Sequence, residues 1–181
     1  VQKQAGKWAT TGHAWLTEYR ARKHSDAGLP VYDWERDGWL TICPDAKIDY
    51  DMVTERILAD AATYNIVSVG YDPWQAEAVQ QTLAKAGVEM VEVSQTFAGL
   101  TEASKELEAA INSMEFIHDG DPCLRWMAKN VTSKCDNRDN ISPVKPDRET
   151  MKAVDGILAL VMAIGRGFTE QPQRTGRVMF A

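Results

Sequence analysis

The sequence predicts an α/β fold, a largely parallel mixed sheet flanked by helices, and three observations carry that prediction. Between Asp49 and Glu115 stretches with a helical apolar stripe alternate with short strand-like runs. The opening residues are strand-like and predict an antiparallel edge. Near the C-terminus, Ala153–Gly165 is apolar over thirteen residues apart from Asp155, the pattern of a helix covered on most faces.

Taken in order, Lys7–Leu16 is rich in Trp, Thr and Ala and reads as a strand. Residues 20–30 are charged, end in Gly28-Leu29-Pro30 and read as a loop; Trp39–Ile42 reads as a second strand. Asp49 caps a predicted helix to about Tyr64, with Val53, Ile57, Ala61 and Tyr64 on one stripe. Ile66–Tyr71 fits a buried parallel strand. A helix from Trp74 to about Ala86 follows, closed by Gly87, then an alternating strand at Glu89–Ser94. Thr101–Glu115 reads as a helix with Ala103, Leu107, Ala110, Ile111 and Met114 inward. Asp121-Pro122 opens a short helix containing Trp126 and Met127. Val131–Asp136 and Ile141–Lys145 form a predicted hairpin around Asn137–Asn140, and the final helix runs from Glu149 to about Gly167. The organisation is one domain over 1–181: an edge strand and basic loop in 1–30, the α/β body, and a flexible tail at 169–181.

Composition narrows the function classes. With 181 residues and 44% hydrophobic content, the chain suits one domain with a substantial core. Three cysteines without paired spacing argue against a disulfide framework and for a reducing compartment. No C-x-x-C occurs and the three histidines are scattered, which disfavours zinc. No signal-peptide pattern or membrane-length apolar run is present, so the expected location is the cytoplasm. A net charge of −6 argues against coating nucleic acid by bulk charge alone. The charge is uneven: residues 1–24 carry an excess of +4, from Lys3, Lys7, Arg20, Arg22 and Lys23 against Glu18, and the rest of the chain is −10. Arg20, Arg22 and Lys23 read either as contacts for DNA phosphates or as a solvated loop.

Two carboxylates stand out. Asp155, in its apolar stretch, predicts a buried acid that needs a cation beside it, either Lys152 or Lys145 in a salt bridge or a bound metal. On that reading Asp155→Asn leaves the fold intact or more stable. Asp72 follows the Ile66–Tyr71 run, where open α/β sheets bind ligands. It reads equally as an N-cap, with Pro73 at the first helical position and Gln75 three residues on, or as both cap and ligand. Hard cations such as Mg²⁺ or Mn²⁺ take such oxygen donors, and two ions about 4 Å apart catalyse phosphodiester hydrolysis. A shared cluster requires the Asp72 and Asp155 carboxylates within about 8 Å of each other.

The surrounding text carries a resemblance. Asp33-Trp34-Glu-Arg-Asp-Gly38-Trp-Leu, Ile48-Asp-Tyr50, Tyr64-Asn65, Tyr71-Asp-Pro-Trp74, Val93-Ser-Gln95-Thr-Phe97 and Ser104–Leu107 occur in a family's order and spacing. So do His118–Val131, Ser142-Pro-Val-Lys145-Pro and Val154–Ala163. Over roughly residues 31–168 the chain resembles the C-terminal nuclease domain of the tailed-bacteriophage terminase large subunit.

The resemblance implies a ribonuclease H-like fold and a metal-dependent endonuclease that cuts concatemeric DNA by two-metal hydrolysis during packaging. It implies Mg²⁺ or Mn²⁺ as cofactor, with Asp72 and Asp155 as ligands and Lys145 as a catalytic basic residue near phosphate or a carboxylate. Its implied partners are double-stranded DNA, the terminase ATPase domain, the small terminase subunit and the portal, in the bacterial cytoplasm. The family's first acidic residue lies on an opening strand ahead of the segment matching Lys7–Leu16, and no acid precedes Glu18 here. That strand is expected to be missing or replaced, the metal site incomplete, and metal binding and cleavage by this chain weak. The phosphate loop G-x-x-x-x-G-K-[ST] is absent from these residues. The alternative is a catalytically silent fragment or docking module of the packaging machine. Trp34, Trp39, Trp74 and Trp126 read as core rather than base-stacking residues, and His118 as a hydrogen-bonded structural residue.

Overall fold

The computed structural model describes residues 1–74, 76–146 and 152–169. The chain opens with a hairpin, β1 (Gln2–Gln4) and β2 (Lys7–Thr10), whose two-residue turn Ala5-Gly6 has φ of 49° and 84°. Two positive φ values match the right-handed twist of the flanking strands, which explains the glycine. Next come β3 (Ala14–Thr17), α1 (Glu18–Asp26), α2 (Val31–Arg36), β4 (Leu40–Cys43), α3 (Tyr50–Thr63) and β5 (Val69–Tyr71). The second half holds α4 (Glu77–Lys85), β6 (Met90–Glu92), α5 (Phe97–Asn112), β7 (Phe116–His118) and α6 (Pro122–Asn130). It closes with the hairpin β8 (Thr132–Cys135) and β9 (Ile141–Val144), then α7 (Asp155–Thr169).

The predicted α/β alternation is present, but the sheet differs from a continuous one. Among the described residues the strands form four ladders: β1-β2-β7, β3-β4, β5-β6 and β8-β9. β1–β2 and β8–β9 are antiparallel; β2–β7, β3–β4 and β5–β6 are parallel. The strands are three or four residues long, so their order comes from the helices packed on them. The main cluster joins Trp8 of β2 to Leu100, Ala103, Leu107 and Ala110 of α5 and to Leu160, Val161, Met162 and Ile164 of α7. The two helices approach closely where Gly165 meets Ala103. Trp8 is 1% exposed and donates its indole N–H to Glu106 at 2.7 Å; the same carboxylate binds Lys3 at 2.7 Å. Glu106 is thereby held below the usual carboxylate range, by Lys3 first and Trp8 second.

Several expectations change. Residues 20–30 are not a loop: α1 occupies 18–26, with Thr17 accepting from the Arg20 N–H and Glu18 pairing with Arg22 across one turn. The Lys7–Leu16 strand is two strands broken at 11–13. Ile111 and Met114 point outward, Met114 at 87% exposure, and Leu100 and Thr101 take their places inside. Tyr64, placed on the inward stripe of α3, is exposed. β7 has no counterpart in the sequence reading. The tail from residue 170 lies outside the described residues, as do residues 149–151, where the final helix was expected to begin. No described helix is long and apolar enough to cross a membrane. Cys43, Cys123 and Cys135 are free thiols, and burial pushes Cys123 up to about 12.

Candidate active site

β5 and β6 lie side by side and parallel, Tyr71 opposite Glu92, so their carboxyl ends open at one edge. Asp72 follows β5 there, half-buried. Its Oδ1 accepts the Trp74 N–H at 3.1 Å and its Oδ2 accepts from the Gln95 amide at 2.8 Å. Asp72 is therefore not the cap of α4, which begins at Glu77 with Ala76 in the cap position. Gln95 comes from the loop after β6 and also reaches the Met162 Sδ of α7 at 3.8 Å. Sequence reading missed its role, although Gln95 stands within the Val93–Phe97 segment that carried the resemblance.

The direction of β5 against α7 relates the two acids. A methyl built on Gly70 would lie 3.0 Å from the Arg166 Cγ, while Asp72 meets the Met162 level through Gln95. β5 therefore points toward the N-terminus of α7, where Asp155 stands. Asp155 precedes Met162 by seven residues, two turns on nearly the same helix face and about 10 Å of rise. The N-terminus of α7 is anchored on α6: Met127 Sδ accepts the Gly156 N–H at 3.2 Å, and the Asn130 amide donates to the Ala153 carbonyl at 3.2 Å.

Asp155 is not the buried acid that the apolar pattern predicted. It is exposed, in the first turn of α7, and makes no ion pair among the described residues. The helix begins at Asp155 rather than six residues earlier, so the carboxylate faces water and the positive end of the helix dipole. The stability expectation therefore reverses: Asp155→Asn should lower unfolding free energy by about 0.3–1 kcal/mol, measured by urea denaturation.

Lys145 follows β9, half-buried, where Thr101 of α5 bonds both the N–H and C=O of Ile141. It lies near enough to His24 that burial, Arg20 and Lys145 together hold that imidazole below its usual range. His24 is buried and meets Trp126 of α6 edge-on at 5.4 Å. Trp34 and Trp39 are half-buried, as is Trp126, but Trp74 is 80% exposed, opposite to the core reading. His118 accepts the Gly120 N–H at 3.0 Å and stacks on Phe116. Of the basic side chains on α1, Arg22 is paired with Glu18 at 2.8 Å and Lys23 lies over the Tyr19 ring at 4.6 Å. No group of three or more His, Cys, Asp or Glu side chains arranged to hold a metal occurs among the described residues.

The family model for the terminase large subunit, endonuclease domain, matches residues 16–171. The chain belongs to this family. The terminase domain is 33% identical over 163 residues to protein YmfN of Escherichia coli K12, covering 88% of this chain and 35% of that protein. It is 24% identical over 174 residues to the large terminase subunit of Enterobacteria phage HK97, covering 94% of this chain and 34% of that one. The chain thus spans about a third of these relatives' length. The crystal structure of the HK97 large terminase superposes with a TM-score of 0.73 at 23% identity, over 84% of this chain and 32% of that one. The large terminase nuclease of thermophilic phage G20c gives 0.50 at 12% identity, over 70% and 64%. The terminase nuclease fold is common to all three.

Proposed function

We propose that this terminase domain is a metal-dependent DNA endonuclease that cuts concatemeric DNA during phage packaging. The observation that supports the reading is Asp72 at the end of a parallel strand, bonded to a Gln95 amide that also reaches Met162 of α7, the helix that Asp155 opens. Their donor set suits a hard cation: two carboxylates, one open to solvent and without an ion pair among the described residues, the other oriented by Gln95. Asp72 and Asp155 would hold Mg²⁺ or Mn²⁺, which when bound supplies an activated water and charge neutralisation at phosphate. Gln95 fixes the Asp72 carboxylate, and Lys145 stands as the basic residue for phosphate contact. Double-stranded DNA is the substrate; the ATPase domain, small subunit and portal are the partners proposed from the family.

The alternative, a silent docking module, is favoured by the absence, among the described residues, of any group of three or more His, Cys, Asp or Glu side chains arranged to hold a metal. Plasmid nicking separates the two readings. With Mn²⁺ the purified chain should nick supercoiled DNA slowly, because two protein ligands leave the ion mostly hydrated, and EDTA should stop it. Cleavage that persists in EDTA, or none at any Mn²⁺ concentration, rejects the endonuclease reading for this chain.

A further inference from the structure

A cleft of about 720 Å³ lies between the β3–α1 junction and the loop leading into α3. Leu16, Thr17, Tyr19, Arg20, Lys47 and Tyr50 line it, and none of its lining residues is acidic. Arg20 and Lys47 are exposed and carry no ion pair among the described residues, whereas Arg22, Arg36 and Arg56 are each spent on a carboxylate. Tyr19 and Tyr50 are 61% and 43% exposed and flank the two cations, with Lys23 lying over the Tyr19 ring at 4.6 Å. The adjoining hollow of about 340 Å³, which holds His13, Glu55 and Arg56, lacks this character: it contains a carboxylate, and its arginine is paired with Asp60 at 3.2 Å.

A chain of packed side chains, not an open groove, links the cleft to α7. Arg20 lies one turn before His24 on α1; His24 packs on Trp126, and the next residue, Met127, receives the N-terminus of α7. We propose that this cleft is a second DNA contact, remote from the cutting edge, in which Arg20 and Lys47 each hold a phosphate of one strand and Tyr19 and Tyr50 pack on its sugars. Cations without carboxylate partners, interleaved with exposed aromatic rings, are what a nucleic-acid backbone requires. The inference rests on the endonuclease reading for its choice of ligand.

The test is binding of a fluorescein-labelled duplex to the full chain in EDTA, followed by anisotropy across a salt series, for Arg20→Ala, Lys47→Ala, the double variant and Lys85→Ala. The double variant should bind about tenfold more weakly at moderate salt, and its log–log salt slope should fall by about two, one per lost phosphate contact. Lys85→Ala, at the exposed end of α4, should leave both unchanged. Thermal melts of all variants should coincide. An unaltered slope and affinity in the double variant, or no duplex binding by the parent chain, overturns the proposal. Mn²⁺-dependent nicking is read separately. Loss of binding in the double variant without any nicking by the parent keeps the contact and rejects the endonuclease reading; nicking with unaltered binding does the reverse.

Discussion

Asp72→Asn should reduce Mn²⁺-dependent nicking by more than a hundredfold while the melting temperature stays close to that of the parent. Asparagine keeps an oxygen for the Trp74 N–H, so the turn after β5 survives, but the negative charge is gone. Gln95→Ala should cost less, about 10- to 100-fold, the range for groups that orient a metal ligand rather than bind the metal. It should also weaken Mn²⁺ binding measured by calorimetry, which a purely structural role for Gln95 would not do. Equal activity of Asp72→Asn and the parent would remove Asp72 from the chemistry.

The largest effect on stability is expected at Trp8. This indole fills the centre of the α5–α7 cluster and bonds Glu106, so Trp8→Ala should cost about 3–5 kcal/mol in urea denaturation. Gly167 explains why no smaller error is tolerated nearby: a methyl there would lie 2.7 Å from the Trp8 ring. Gly167→Ala should destabilise the parent by about 1–3 kcal/mol, yet cost little in a Trp8→Ala background, where the methyl enters the vacated space. Additive losses would mean that the ring and the glycine are not coupled.

Much of the fold was legible because some elements announce themselves through local chemistry. Asp121 followed by Pro122 starts α6 as read, with its side chain accepting the Cys123 N–H, and Asp49 caps α3 in the same way. The β8–β9 hairpin followed from its polar turn, where Asp136 binds the Arg138 and Asn140 N–H groups. The errors have physical origins as well. Residues 20–26 looked like a loop because the segment is charged, but Thr17 and the Glu18–Arg22 pair make a solvated helix of it. β7 spans three residues between the end of α5 and the Asp121 cap, too few for an alternating pattern. Trp74 was assigned to the core by residue type, which says nothing of a ring on a turn that the Asp72 carboxylate holds outward.

At the candidate site the two acids were legible as positions but not as environments. Asp155 drew notice as a charge within an apolar run, and the run does build a buried helix face through Ile157, Leu160, Val161 and Ile164. What periodicity could not supply is where the helix starts, and that alone moves Asp155 from interior to solvent. Gln95 was illegible because its role exists only through the juxtaposition of β5, β6 and α7.

Whether Asp72 and Asp155 share a metal can be read from a crystal of this chain soaked in Mn²⁺ and measured at the manganese edge. The expected result is anomalous density shared by the carboxylates of Asp72 and Asp155, lost on soaking with EDTA. Manganese bound elsewhere, or the two carboxylates on opposite sides of the β5–β6 edge, would contradict it.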